Sequence, residues 1–229
     1  MPTKGDLLSG SEAVVLATQL AHVQCAPMYP MIPQDDIVEH LSKLHAEQLT
    51  RPTKKQTPIG FFTTESPSAE LSAAIASAAT GIRTFTASTG PSLEAMKELM
   101  YVASAMRIPL VMANVSRSLA PANIWNDHTD ILSCRDTGWI IFMTSNNQEA
   151  LDTIIQTYKI AENHKVLLPA IVNIDAFFQS HTRENVFVPS ERSIDSFLPK
   201  LKLSVSLDIS NPVSLNPPVK SRKVSYGRC

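Results

Sequence analysis

The chain has 229 residues, enough for one well-buried domain with a remainder, and its 44% hydrophobic and 18% charged content is that of a globular protein. With 20 basic and 21 acidic residues the formal net charge is -1, which leaves no electrostatic footprint for nucleic acid or an anionic membrane surface. The three cysteines, Cys25, Cys134 and Cys229, are far apart and form no CxxC pair, so they supply neither a zinc site nor an iron–sulfur ligand set.

No apolar run approaches the ~18 residues of a membrane span. Few cysteines, and no charged-then-apolar leader after MPTKGD, point to a cytoplasmic protein.

In chain order, GSEAVVLATQL reads as a first helix with Ser11 as cap and Ala13, Leu16, Ala17 and Leu20 on one face. Val23 to Tyr29 is a short buried strand. Pro33 suits the first turn of the next helix, where Asp35 and Asp36 favour the helix dipole. A basic, proline-bearing loop, TRPTKKQTP, leads to a second strand, Ile59 to Thr64. SPSAELSAAIASAATG follows as a helix rich in small residues, with Ser66 as N-cap, Pro67 at the first helical position and Gly81 at C′.

TFTAS is the third strand. SLEAMKELMYVASAM is a helix with Leu93, Met96, Leu99, Met100 and Ala103 inward, its methionines filling core. Ile108 to Val115 and Trp139 to Thr144 are strands four and five. NNQEALDTIIQTYKIAENH is a long asparagine-capped helix, and Val166 to Asn173 is strand six. Continuous apolar strands alternating with helices predict an α/β fold: a doubly wound, mostly parallel six-stranded sheet with helices on both faces. Ligands of such sheets bind beyond the carboxyl ends of the strands. From about Asp175 prolines and serines accumulate, and the tail to VKSRKVSYGRC reads as an extended arm without a core.

The most distinctive stretch is Arg117 to Trp139, RSLAPANIWNDHTDILSCRDTGW. A long polar loop held between two core strands is usually functional. Arg117 reads either as one half of an ion pair with Asp127, Asp130 or Asp136, or as a grip for a ligand carboxylate. His128, beside Asp127 and Asp130, reads either as a metal ligand or as a hydrogen-bonding loop histidine. No second histidine sits at ligand spacing, so no metal site is expected on this chain. Trp125 and Trp139 read as packing or interface anchors.

The segment NIWNDHTDILSCRDTGW closely resembles the α subunits of pyruvate:ferredoxin oxidoreductases, within the wider thiamine-dependent 2-oxoacid:ferredoxin oxidoreductases. GSEAVVLA, YPMIPQDDIVEHL, TGIRTFTAS, LMYVASAMRIPLVM and VLLPAIVNIDAFFQSHT resemble the same family in the same order. The resemblance covers about residues 9 to 213 and weakens after about 185. It implies a thiamine diphosphate enzyme that oxidatively decarboxylates pyruvate with coenzyme A and passes electrons through iron–sulfur clusters to ferredoxin. Residues 1–185 would be the pyrimidine-binding domain and 186–229 a linker arm, cut short of the family's second domain. The diphosphate, its Mg²⁺ and the clusters would lie on partner subunits of a hetero-oligomer.

The resemblance also assigns roles. Arg117 matches the substrate-carboxylate arginine. The family's substrate-contacting threonine is Ile32 here, and its SSQG turn reads TGPS, starting at Thr89. Asp127 and His128 join Pro67 and Thr89 on loops facing the cofactor. The glutamate that works against the aminopyrimidine ring falls on Pro67, and Glu65 matches the non-catalytic glutamate before it. A local shift would let Glu65 or Glu70 reach the ring instead. Otherwise each is a solvated or dipole-facing carboxylate, and losses grouped at the chemistry favour a catalytically inactive, structural or regulatory subunit.

Overall fold

The computed structural model describes residues 5–51, 57–121, 123–203, 209–210 and 212. Most of the basic loop TRPTKKQTP, the terminal VKSRKVSYGRC and Cys229 lie outside them. Among the described residues no helix is long and apolar enough to cross a membrane.

Six parallel strands carry the fold: β2 (Cys25–Met28), β3 (Gly60–Thr63), β4 (Phe85–Thr89), β5 (Val111–Ser116), β6 (Ile140–Met143) and β7 (Ala170–Asp175). They form two ladders, β2-β3 and β4-β5-β7-β6, joined at a single parallel bridge between Cys25 and Thr84. The combined order is therefore β3-β2-β4-β5-β7-β6. The expected six parallel strands are present, but the sheet is nearly severed between β2 and β4. Pro27 brings no N–H to β2, and the Thr86 hydroxyl oxygen lies 3.0 Å from the Pro27 carbonyl. The inner strands β2, β4 and β5 are buried throughout, whereas β3 and β6 at the edges are partly exposed. Burial on both faces is why the inner strands read as unbroken apolar runs.

The two faces hold separate cores, divided by the side-chain alternation of the strands. Val111, Ala113 and Val115 face α1 (Gly10–Leu20), α2 (Asp35–Thr50) and α7 (Asn147–Ala161). Leu110 and Met112 face α3 (Pro67–Ala79), α4 (Gly90–Ala95), α5 (Lys97–Ala105) and Ile131 of α6 (Thr129–Ser133). In α3, Ser66 caps the helix, Pro67 opens it, and Gly81 just past its end takes a φ of 88°, where a side chain would be strained.

Three boundaries differ from expectation. The cap of α1 is Ser9, not Ser11: its hydroxyl accepts from Glu12 N–H while the Glu12 carboxylate accepts from Ser9 N–H, a capping box. The helix expected over 92–106 is two, bent at buried Met96, and the Ser68 hydroxyl takes the Ala95 carbonyl at the bend. The polar loop is partly folded, containing α6 and a 3-10 turn at Arg135–Thr137.

The tail differs more. Residue 185 lies inside a strand, β8 (Arg183–Phe187), which pairs antiparallel with β1 (Gly5–Ser9). A short helix, α8 (Glu191–Phe197), follows, and Val186, Ile194 and Leu198 are buried in the α1–α7 core. Three apolar side chains diluted among serines and prolines suffice to dock the segment, so an arm without a core cannot begin before residue 199.

Arg83 ties these parts together. It is 3% exposed and grips Glu162 with two bonds, Nε to Oε1 at 2.5 Å and Nη2 to Oε2 at 2.8 Å. It also donates to the carbonyls of Ala21, at the end of α1, and of Pro199 in the docked tail. Burial raises the Glu162 carboxyl above its usual range, and the guanidinium offsets part of that. Removing one partner strands the other without its counter-charge. Arg83→Ala is expected to cost about 3–5 kcal/mol in denaturant unfolding, with less loss for a Glu162→Gln change that keeps hydrogen bonding.

Candidate functional site

The chain reverses direction across the sheet at β2: β3 lies on one side and β4 on the other. That is the topological switch point, and its carboxyl-edge crevice is where an open α/β sheet receives ligands. Its rim is built by the loops after β2, β3, β4 and β5. A separate cavity of about 810 Å³ opens at the opposite edge, beside His22, Gln24, Arg83, Asp195 and Lys200, away from this rim.

After β2, Tyr29 to Gln34 turn into α2. Gln34 is fully buried and anchors the turn, donating to the Ala87 carbonyl of β4 at 3.0 Å and accepting from Met31 N–H at 3.2 Å. Met31 lies under the rim with its sulfur 3.1 Å from the Ser92 hydroxyl and 3.9 Å from Arg117 Nη2. Ile32 projects outward, 55% exposed.

After β4, Thr89 turns its hydroxyl inward to the Val115 carbonyl at 2.7 Å, so its side chain is committed to the scaffold. A Cβ on Gly90 would lie 2.9 Å from the Arg117 carbonyl oxygen and 3.1 Å from its Cγ. Only glycine lets this turn close against Arg117.

After β5, the loop is organised by Asp130. This carboxylate is fully buried. It accepts from Asn114 Nδ2 at 2.9 Å, the Ser116 hydroxyl at 2.6 Å, Arg117 N–H at 3.2 Å and Ile131 N–H at 2.7 Å. One carboxylate thus joins the end of β5 to the start of α6. Asn114 also donates to Asn173 on β7 at 2.7 Å, and Asn126 donates to Asp175 at 2.6 Å. His128 takes a left-handed backbone, its ring nitrogens within 3.2 Å of Asn126 Nδ2 and its Nε2 3.8 Å from Asp175. Asp127 is exposed and closes a turn onto Thr129; the Thr129 hydroxyl and N–H hold its carboxyl below the usual range. Trp125 packs beside Phe177 and Phe178 with ring centroids 5.8 and 5.6 Å away.

None of the three aspartates pairs with the Arg117 guanidinium. Asp127 serves Thr129, Asp130 accepts from the Arg117 main chain, and Asp136 lies 3.7 Å from Arg135. Among the described residues no carboxylate is within ion-pair distance of that guanidinium, and its buried Nε has no hydrogen-bond partner.

The carboxylates of α3 divide sharply. Glu65 is exposed before the helix. Glu70 is fully buried, neither solvated nor merely facing the helix dipole. Its Oε1 accepts from the Thr86 hydroxyl at 2.5 Å, and its Oε2 is buried without a partner. Burial pushes the carboxyl up to about 8, against the Thr86 hydroxyl and the main-chain N–H groups of Tyr29 and Ala87, which lower it. It is therefore mostly a neutral acid at pH 7.

Sequence reasoning did not single out Gln34, Asn114, Asn173 or Asp175, and it read Asp130 as a candidate ion-pair partner of Arg117 rather than as the centre of this network. A signal was present for the two asparagines, which interrupt the apolar strands VMANVS and AIVNID near their carboxyl ends.

Two measurements follow. Asp130→Ala removes the acceptor for two side chains and two main-chain N–H groups. It is expected to cost about 3 kcal/mol or more in unfolding and to speed amide hydrogen exchange selectively across 116–131. Glu70 keeps its proton in the folded state to about pH 8, whereas an unfolded glutamate loses it near pH 4.5. Its stabilising effect is whole at acid pH and is lost as pH rises from about 4.5 to about 8, after which it is flat. The unfolding free energy of the unaltered chain is thus expected to fall relative to Glu70→Gln across that window, by at most roughly 5 kcal/mol, and a pH-independent difference would contradict this.

The sequence profile of the family described as pyruvate flavodoxin/ferredoxin oxidoreductase, thiamine diphosphate-binding, matches residues 17–224. Pyruvate synthase subunit PorA of Methanothermobacter thermautotrophicus is 38% identical over 210 residues, which cover 91% of this chain and 53% of that protein. PorA of Methanocaldococcus jannaschii is 41% identical over 216 residues, 92% of this chain and 53% of that protein. Ketoisovalerate oxidoreductase subunit VorA of Pyrococcus horikoshii is 37% identical over 211 residues, 91% of this chain and 51% of that protein. The chain spans about half the length of these curated relatives. A solved structure of 2-oxoglutarate:ferredoxin oxidoreductase from Magnetococcus marinus superposes with a TM-score of 0.71 at 16% identity, over 84% of this chain and 33% of that one, and so shares the fold. With a parallel α/β sheet and a family profile that takes in nearly its whole length, the chain belongs to the thiamine diphosphate-binding family of pyruvate flavodoxin/ferredoxin oxidoreductases.

Proposed function

We propose that this chain forms the pyrimidine-side half of a thiamine diphosphate site in a hetero-oligomeric 2-oxoacid:ferredoxin oxidoreductase. Pyruvate is the proposed substrate, with coenzyme A as acyl acceptor and ferredoxin as electron acceptor. Partner subunits carry Mg²⁺, the diphosphate grip and the iron–sulfur clusters. Thiamine diphosphate, when bound, supplies the electron sink for cleavage next to the substrate carbonyl. The residues present fit a polar group arriving at the carboxyl edge: Glu70 Oε2, Ser88 Oγ and Arg117 Nε are all buried there without partners.

The observation that carries the reading is Arg117. A cation held against β5 by the Asp130 network and Gly90, with no carboxylate of its own, is preset to bind a 2-oxoacid carboxylate through parallel hydrogen bonds. A specific feature favours a second reading, that of a non-catalytic structural or regulatory subunit. Pro67, the first residue of α3, has no proton to share, and Ile32 puts hydrocarbon at the rim.

Reconstitution with the cognate partner subunits separates the two. Thiamine-dependent pyruvate decarboxylation is expected, and Arg117→Lys is expected to raise KM for pyruvate about tenfold to hundredfold with a smaller change in kcat. Intact assembly with no turnover supports the second reading instead.

A further inference from the structure

Helix α3 opens with Pro67, so no carboxyl group stands at its first position, and Glu65 before it faces solvent. One turn further along, Glu70 leaves the helix on its inner side. It occupies the place where the sheet is nearly severed. Its neighbours are Tyr29, just past the end of β2, and Thr86 and Ala87 of β4, the two strands flanking the switch point. Among the described residues the two strands share one bridge, Cys25 with Thr84, which leaves polar main-chain groups between them for a side chain to satisfy. A glutamine or threonine would serve that structural need. A carboxylic acid with one oxygen bonded to Thr86 and the other buried beside the Tyr29 and Ala87 main chain without a hydrogen-bond partner does something further: it keeps a donor or acceptor available in a buried position.

Resting on the function proposed above, we propose that Glu70 is the carboxyl group this chain presents to the aminopyrimidine ring of thiamine diphosphate, in place of a residue at the start of α3. The ring nitrogens of a neutral aminopyrimidine are acceptors, so they need a donor that the crevice does not lose to water. Glu70 meets the requirement. Burial keeps its proton at neutral pH, and Thr86 fixes Oε1, leaving Oε2 for the ring. Gln34, donating to Ala87 from the other side, holds the β4 main chain beside it. Pro67 becomes intelligible on this view: it supplies a rigid helix start, and the acid is carried from inside.

The test uses the complex of this chain with its partner subunits. Binding of thiamine diphosphate with Mg²⁺ is measured first, by calorimetry. Infrared difference spectra on cofactor addition then follow the protonated carboxyl band, and exchange of the cofactor's C2 proton for deuterium is timed. The unaltered complex is expected to show a carboxyl band shift that is absent in Glu70→Gln and retained in Glu65→Gln. C2 exchange is expected to slow by about a hundredfold or more in Glu70→Gln, with cofactor affinity little changed. Glu70→Asp, which keeps the acid but shortens it, is expected to fall between and guards against a folding defect in the amide variant. Cofactor binding with no carboxyl shift in the unaltered complex, or with exchange unchanged in Glu70→Gln, overturns the role of Glu70 alone. No cofactor binding by the assembled, unaltered complex overturns the function proposed for the chain as well.

Discussion

The buried carboxylate of Asp130 is the constraint on which the functional edge depends. A carboxyl group with no exposed surface is tolerated only when its oxygens are hydrogen-bonded, and Asn114, Ser116, Arg117 and Ile131 supply the donors. The four donors belong to three parts of the structure. Asn114 and Ser116 lie at the carboxyl end of a central strand, Arg117 is the candidate ligand-binding cation, and Ile131 lies within the next helix. Because these groups share one acceptor, the long connection between β5 and α6 leaves the sheet and returns to it at one place. The polar segment NIWNDH is thereby held as a rim. Its remaining polar side chains are spent on each other: Asn126 on Asp175 and His128, and Asp127 on Thr129.

A second constraint acts two strands away. The sheet's parallel ladder breaks between β2 and β4, at the switch point beyond whose carboxyl edge ligands of such folds sit. Pro27 and Thr86 set the width of the gap, and Glu70 stands in it. The two constraints separate charge from neutrality along one edge. Among the described residues Arg117, near β5, has no carboxylate partner, and burial favours the neutral acid of Glu70 near β2. An anionic substrate group and a neutral heterocycle would each find a suitable partner without interference from the other.

Much of the fold was legible. Apolar continuity marked all six parallel strands, and Ser66, Pro67 and Gly81 marked the ends of α3 to the residue. The capping box at Ser9 was missed by two positions because Gly10 and Ser11 also suit a helix start. The bend at Met96 has no proline or glycine to announce it. The docked tail was read as an arm because Val186, Ile194 and Leu198 are too sparse to form a periodic pattern, yet each finds a place in an existing core. Among site residues, Arg117 was legible as a cation opening a long polar loop between core strands, while its lack of a carboxylate partner depended on which aspartates were occupied elsewhere. Glu70 lies four residues before Ala74 and eight before Ala78, on the buried stripe of α3, so its helical position hinted at burial. Its role as a bridge between two strands depends on sheet order, which no local pattern contains.

The β1–β8 ribbon gives the domain a clasp. Among the described residues the first strand pairs with a segment some 180 residues later, and the first amides of α1 donate to the carbonyls of Gln179 and Ser180. Half the sheet can be assembled from local crossovers as the chain emerges from the ribosome, but the outer seam cannot. Until residues 179–187 have been made, strand β1 lacks its partner and the capped end of α1 lacks two acceptors, so closure of this seam waits on a segment far along the chain from the strand it pairs with.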